Sequence, residues 1–362
     1  MFEFFSSWFK RYFTHPEATL LAIMLVAGFV AVYVLGHMLA PLITAVVFAY
    51  VLEAPVARLA RRMPRLAAVS VIFVLFVLFV AFALVILLPI ILHQATQLVH
   101  EVPVMINRGQ DALLHLPQQY PDLVSAETVR QIFMTFRTGV TGLSHSLLSV
   151  SLASIPAVIA LLIYLVLVPL MVFFFLKDKD LILAWVSRFL PTGRSLFGHL
   201  WDELDAQFGN YIRGKVYEIL IVGSVGYAIF RTLDLNYASL LAIAVGLSVL
   251  VPFIGAAIVT IPVAMVGYFQ WGLSWDFVWL VVSYLALHFF DGNLLVPILF
   301  SDVVNIHPVA IVAAILVFGG IWGFWGVFFA IPLATLVKAI INIWPRYEEQ
   351  APLEPQRLEP SV

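Results

Sequence analysis

Apolar residues in this chain do not alternate with polar ones at a helix or strand period; they run on unbroken. Charge-free stretches cover residues 18–52, 66–100, 138–176, 219–230, 235–275, 277–290 and 303–337. A helix crosses the hydrocarbon core of a bilayer with about 20 apolar residues, so several of these stretches suffice for two crossings. Polar or Pro/Gly punctuation divides them at Gly36-His37, at Pro252-Phe253-Ile254-Gly255 and at Gly319-Gly320. The division leaves about ten hydrophobic helical segments, some too short to cross fully. The predicted fold is an all-α polytopic membrane protein of about eight transmembrane helices plus broken or re-entrant helical hairpins, with a small helical region on its outer face. Backbone broken at membrane depth is tolerated only where it packs in protein or lines water, so the broken segments point to a pathway.

The same pattern divides the chain into regions. Residues 1–17 place Phe5, Trp8, Phe9 and Tyr12 at helical spacing around Lys10 and Arg11, as in a helix lying in the interface. Transmembrane helices 1–3 follow over 18–92, and the length of the first apolar run marks an uncleaved span and not a signal sequence. Residues 93–150 form the outer helical region, punctuated by Pro117 and Pro121, either a spacer or a gate. A further span occupies 151–176. Over 177–215, Leu196, Leu200, Leu204, Phe208 and Ile212 recur every four residues, predicting an amphipathic helix on the inner side that runs into the next span. Residues 216–343 are read as a C-terminal bundle with broken helices, and 344–362, rich in Pro and Glu, as a disordered tail.

Composition agrees with the pattern. Hydrophobic residues make up 63% of the 362 and charged ones 11%, and the mean hydropathy is +1.04, outside the range of soluble domains. Lys and Arg fall on one side of the predicted spans except for Arg108, Arg130, Arg137 and Arg231. The positive-inside rule then puts both termini in the cytoplasm and implies an even number of crossings. Sparse basic residues give no footprint for nucleic acid. The absence of cysteine excludes disulfides and thiolate chemistry. Walker loops, nucleophile elbows, His-Glu-x-x-His motifs and nucleotide fingerprints are also absent, so neither enzymatic activity nor a cofactor or metal is expected.

An ionisable side chain inside such a run costs at least about 2.5 kcal/mol at mid-depth and needs a reason to be there. Asp291 stands in an apolar stretch, followed by Gly292, Asn293 and Pro297, with His288 three residues before it on the same helical face. The pair can hold a proton or a cation; alternatively Asp291 caps a broken helix, binding the amides of Gly292 to Leu295. Asp302 and His307 precede Pro308, which starts a new apolar segment; His307 is either a proton-coupling group or a loop histidine at the surface. Glu53 ends a span near Arg58, where an interfacial ion pair or snorkelling accounts for it. Pro252 and Gly255 interrupt a long apolar run, where freed carbonyls and amides can bind a polar solute. Gly319, Gly323 and Gly326 include a small-xxx-small pair suited to close helix packing.

Several longer motifs carry a family resemblance. They are Leu165-Val166-Leu167-Val168-Pro169-Leu170 with Lys177-Asp178-Lys179, Asn210-Tyr211-Ile212-Arg213-Gly214-Lys215, Pro252-Phe253-Ile254-Gly255, Asp291-Gly292-Asn293-Leu294-Leu295-Val296-Pro297, His307-Pro308, and the glycine-aromatic run from Gly319 to Leu333. Over roughly residues 1 to 345 the chain resembles the autoinducer-2 exporter (AI-2E) family. The resemblance implies a bacterial inner-membrane transporter of about eight spans, a helical periplasmic region after the third, and assembly into homo-oligomers. Members are linked to export of autoinducer-2 and to exchange of sodium or lithium for protons. Three readings follow: a permease or facilitator for a small solute, a monovalent-cation/proton antiporter using Asp291, and a membrane scaffold that moves nothing. The partners expected are the lipid bilayer, a small solute or monovalent cation, and protons.

Overall fold

A computed structural model describes residues 16–114, 155–189, 196–252, 254–300 and 306–343. Every regular element among them is helical. In chain order these are α1 (Pro16–Leu59), α2 (Arg65–Phe82), a π-turn (Ala83–Leu87), α3 (Leu88–Leu114), α4 (Ile155–Lys177), α5 (Lys179–Val186) and a short 3₁₀ turn (Ser187–Phe189). There follow α6 (Leu196–Thr232), α7 (Ala238–Ser248), α8 (Ile254–Trp271), α9 (Trp275–Phe290), a second π-turn (Asp291–Leu295), α10 (Val296–Phe300), α11 (Pro308–Phe328) and α12 (Ala330–Ile343). Residues 1–15, most of 93–150, Asp302 and the tail from 344 lie outside the described residues, and with them the sequence readings made there.

Among the described residues, five helices are long and apolar enough to cross a membrane: Met38–Leu59, Arg65–Gly109, Ile254–Trp271, Trp275–Phe300 and Pro308–Phe328. A sixth candidate is the pair Leu161–Lys177 and Lys179–Val186, bent by 83°. Val26–Gly36 and Ala238–Ser248 are shorter apolar helices. The 45 residues of Arg65–Gly109 exceed what a core about 30 Å thick can enclose at about 1.5 Å per residue, so one end of that rod projects from the hydrocarbon. Its C-terminal part carries His93, His100, Glu101 and Arg108.

The helix boundaries follow local chemistry. The two π-turns share one register. Leu88 donates to the Ala83 carbonyl, with Pro89 next in the chain, and Val296 donates to the Asp291 carbonyl, with Pro297 next. A proline cannot donate to the residue four back and its ring crowds that carbonyl, so the preceding turn widens by one residue. Gly272, at φ 64°, closes α8, and the Ser274 hydroxyl then caps α9 by accepting from the Phe277 amide.

The described residues pack as two units. The first contains those of Ala40–Val186 and Gln207–Asn305 and has two apolar cores. One joins α1, α2 and α4 through Ala45, Val56, Val69, Phe76, Val172 and Leu176. The other joins α6, α7, α8 and α9 through Val222, Phe230, Leu241, Val245, Val263 and Leu280. The second unit contains the described residues of Met1–Leu39, Ser187–Ala206 and Ile306–Val362. Here α11 folds back onto itself and α12, and Trp322 packs between Phe318 at 5.7 Å and Phe29 at 5.1 Å.

Two predicted breaks fall differently. Helix α1 runs continuously through Gly36-His37, since neither residue removes a backbone donor. The break expected at Gly319-Gly320 occurs at Gly323, whose φ of 58° and ψ of −132° interrupt α11. Only glycine adopts that conformation without strain.

Candidate transport site

Helix α6 places Tyr211, Gly214, Lys215 and Glu218 at i, i+3, i+4 and i+7, on one face. Lys215 and Glu218 are 3% and 2% exposed, and Lys215 Nζ stands 2.7 Å from Glu218 Oε2. A buried ammonium is tolerated only when paired and hydrogen-bonded. Its hydrogen bond goes to the Val249 carbonyl at 2.9 Å. That carbonyl is available because α7 ends there: Leu250 and Val251 donate back to Leu247 and Ser248, and Pro252 has no proton to give. The Phe300 ring covers the ammonium at 5.2 Å and lies 5.7 Å from the Tyr211 ring. Gly214 lets it approach, for a methyl group at 214 would stand 2.8 Å from Phe300.

The same region contains Asp291. A cleft of about 410 Å³ opens between α6, through Ile221, Val222, Val225 and Ile229, and the α9–π-turn segment, through Ser283, Ala286, Leu287, Phe290, Asp291, Leu294 and Leu295. Asp291 is the ionisable residue of this lining. Its Oδ1 is buried with no hydrogen-bond partner among the described residues. Lys215 and Asp291 interact electrostatically, as do Asp291 and Glu218. Lys215 is in contact with Glu218 and only within electrostatic reach of Asp291.

The neighbouring polar groups are largely committed. The Asn293 amide donates to the Phe289 carbonyl at 2.8 Å. His288 sets its ring edge-on to Tyr284 at 4.6 Å, and its Nε2 is buried without a partner among the described residues. The Tyr284 hydroxyl lies 3.2 Å from that of Thr260. No helix starts at Asp291 for it to cap: its backbone is helical and the chain continues from α9 through the π-turn.

The remaining sequence candidates have structural partners. At the α7–α8 break, Gly255 fits so closely that a methyl group would overlap the Ser248 carbonyl, while Pro252 has no backbone donor to continue the helix. Glu53 pairs with Arg65 and Lys179, each at 3.3 Å, and not with Arg58. Arg65 also donates to the Leu176 carbonyl at 3.2 Å, tying α2 to the end of α4. His307 is the N-cap of α11: its Nδ1 accepts from the Val309 amide at 3.3 Å, with Pro308 at the first helical position. Gly319 and Gly326 allow α11 to fold on itself, meeting Val327 and the Phe318 carbonyl. Glu218 is the residue that sequence reading passed over. It lies one position outside the 219–230 apolar run and reads there as flanking charge.

With all regular elements among the described residues helical and several of them fit to cross a bilayer, the fold is that of a multi-pass membrane protein. The chain belongs to the AI-2E family of transporters, whose sequence profile it matches over residues 22–346. It is 45% identical over 350 residues to PerM of Escherichia coli K12, which bears the name of a permease; the match covers 95% of this chain and 98% of PerM. YrrI of Bacillus subtilis strain 168, named as a transport protein, is 26% identical over 261 residues, covering 70% of this chain and 71% of YrrI. The protein sll0063 of Synechocystis, also named for transport, is 24% identical over 302 residues, covering 82% and 75%.

Proposed function

We propose that this protein is a secondary permease of the bacterial inner membrane, both termini cytoplasmic, whose path runs past Asp291 and the break at 249–255. Asp291 is its ion-binding group, alternately occupied by a proton and by a monovalent cation such as sodium or lithium. One observation carries the reading: Asp291 lines an apolar cleft and holds a buried carboxylate oxygen with no hydrogen-bond partner among the described residues, within electrostatic reach of the Lys215–Glu218 pair. A carboxylate kept at such cost in an apolar setting is retained for what it binds.

A second reading has its own support. The α7–α8 break offers a neutral polar solute, autoinducer-2-like by family and moved outward without an ion, the Leu250 carbonyl, since the Val249, Val251 and Pro252 carbonyls already accept from Lys215, Gly255 and Ile254. Flux in proteoliposomes separates the two readings. Cation-dependent proton movement lost in Asp291→Asn supports exchange; solute flux indifferent to that change supports a facilitator. No saturable flux with either probe would favour the scaffold. Assembly into homo-oligomers belongs to the same proposal and is read from the mass of the protein in detergent.

A further inference from the structure

The Lys215 ammonium makes two bonds that belong to different parts of the molecule. One is to Glu218 on its own helix, at 2.7 Å. The other is to the Val249 carbonyl at the α7–α8 break, thirty-four residues away and 2.9 Å distant. The break itself carries no ionisable side chain, since residues 249–255 read Val-Leu-Val-Pro-Phe-Ile-Gly. A charge dependence of its conformation therefore comes from a neighbouring element, and Lys215 is the ionisable residue bonded to the break among the described residues.

We propose that Lys215 is the positioning residue that ties the carboxylate pair to the 249–252 break. With Glu218 ionised, the ammonium is held between Glu218 and the Val249 carbonyl, and the break is fixed against α6. With Glu218 neutral, Asp291 is the remaining carboxylate within electrostatic reach; the ammonium turns toward it and the Val249 carbonyl is released. The ionisable groups that act on this ammonium are Glu218, paired with it on α6, and Asp291 in the π-turn, within electrostatic reach; Tyr211 on α6 lies within reach of Glu218. The segments 249–255 and α10 contribute apolar or backbone groups. Gly214 and Phe300 keep water from substituting for the lysine, because the ring closes over it and the missing side chain at 214 makes room.

The inference rests on the pathway reading above for its effect on transport, but not for its structural test. That test is amide hydrogen exchange on the full chain in detergent, followed in peptides covering 249–256. Two variants are compared with wild type: Lys215→Met/Glu218→Met, which replaces a buried ion pair by apolar side chains of similar length and is expected to stay folded, and Glu218→Gln. In both, exchange across 249–256 is expected to quicken about tenfold while peptides from α2 and α4 keep their wild-type rates. Should the double variant fail to purify folded, Glu218→Gln alone is read in the same way. Unchanged exchange at 249–256, or an equal rise throughout the chain, overturns the tie. Wild-type protein that moves neither sodium, lithium nor autoinducer-2 would remove the pathway reading while leaving the exchange result standing.

Discussion

Lys215 and Glu218 face each other at 2.7 Å within α6, each almost wholly buried. Removing one partner strands the other charge in the interior, whereas removing both does not. Lys215→Met alone is therefore expected to cost about 3–5 kcal/mol of stability, and Lys215→Met/Glu218→Met to recover most of it. Thermal melting in detergent checks this. Additive losses in the double variant would mean that the two residues do not form an energetic pair.

Pro297 holds the π-turn that sets the register of Asp291. Pro297→Ala restores a backbone donor, and the widened turn is expected to close into regular α-helix. Closing it turns the preceding residues by about 100° relative to α10. Asp291 then leaves its place beside the Lys215 cluster. Transport is expected to fall about tenfold or more, as misplaced functional groups do, with no loss of melting temperature. Wild-type flux in this variant would show that the π-turn register is unimportant.

Two glycines have no tolerated substitute. Gly255→Ala drives a methyl group into the Ser248 carbonyl, an overpacking expected to cost about 1–3 kcal/mol. Gly323→Ala forces a side chain onto φ 58° and ψ −132°, at about 1–3 kcal/mol of backbone strain. Gly320→Ala has open space around it and serves as the control, expected to melt with wild type.

His307 separates a helix cap from a proton carrier. Because its Nδ1 accepts from the Val309 amide, His307→Ala is expected to destabilise α11 by about 1 kcal/mol. Asparagine keeps a short side-chain acceptor, so His307→Asn should restore both stability and flux. Loss of flux in the asparagine variant, with stability retained, would reassign His307 to proton coupling.

The helical, membrane-crossing character of the chain was legible from unbroken apolar runs, and Asp291 stands out as a candidate from its position as a carboxylate inside one of them. Glu218 was not legible: it adjoins an apolar run, as dozens of harmless interfacial charges do, and only folding brings Lys215, Val249 and Asp291 to it. The Pro252–Gly255 break was visible because proline and glycine act through backbone chemistry that no packing can supply. Gly36-His37 misled for the complementary reason, since both residues keep their amide donors and the helix passes through them. At 319–326, four glycines stand close together, and which one turns the chain depends on Gly319 meeting Val327 and Gly326 meeting the Phe318 carbonyl across the fold. Composition does not record that contact.

Ion flux through the purified protein tests the central claim most directly. Proteoliposomes holding a pH gradient are challenged with sodium or lithium, comparing wild type with Asp291→Asn. The account predicts cation-dependent proton movement in wild type and its loss in the variant. Exchange at the wild-type rate in Asp291→Asn would contradict it.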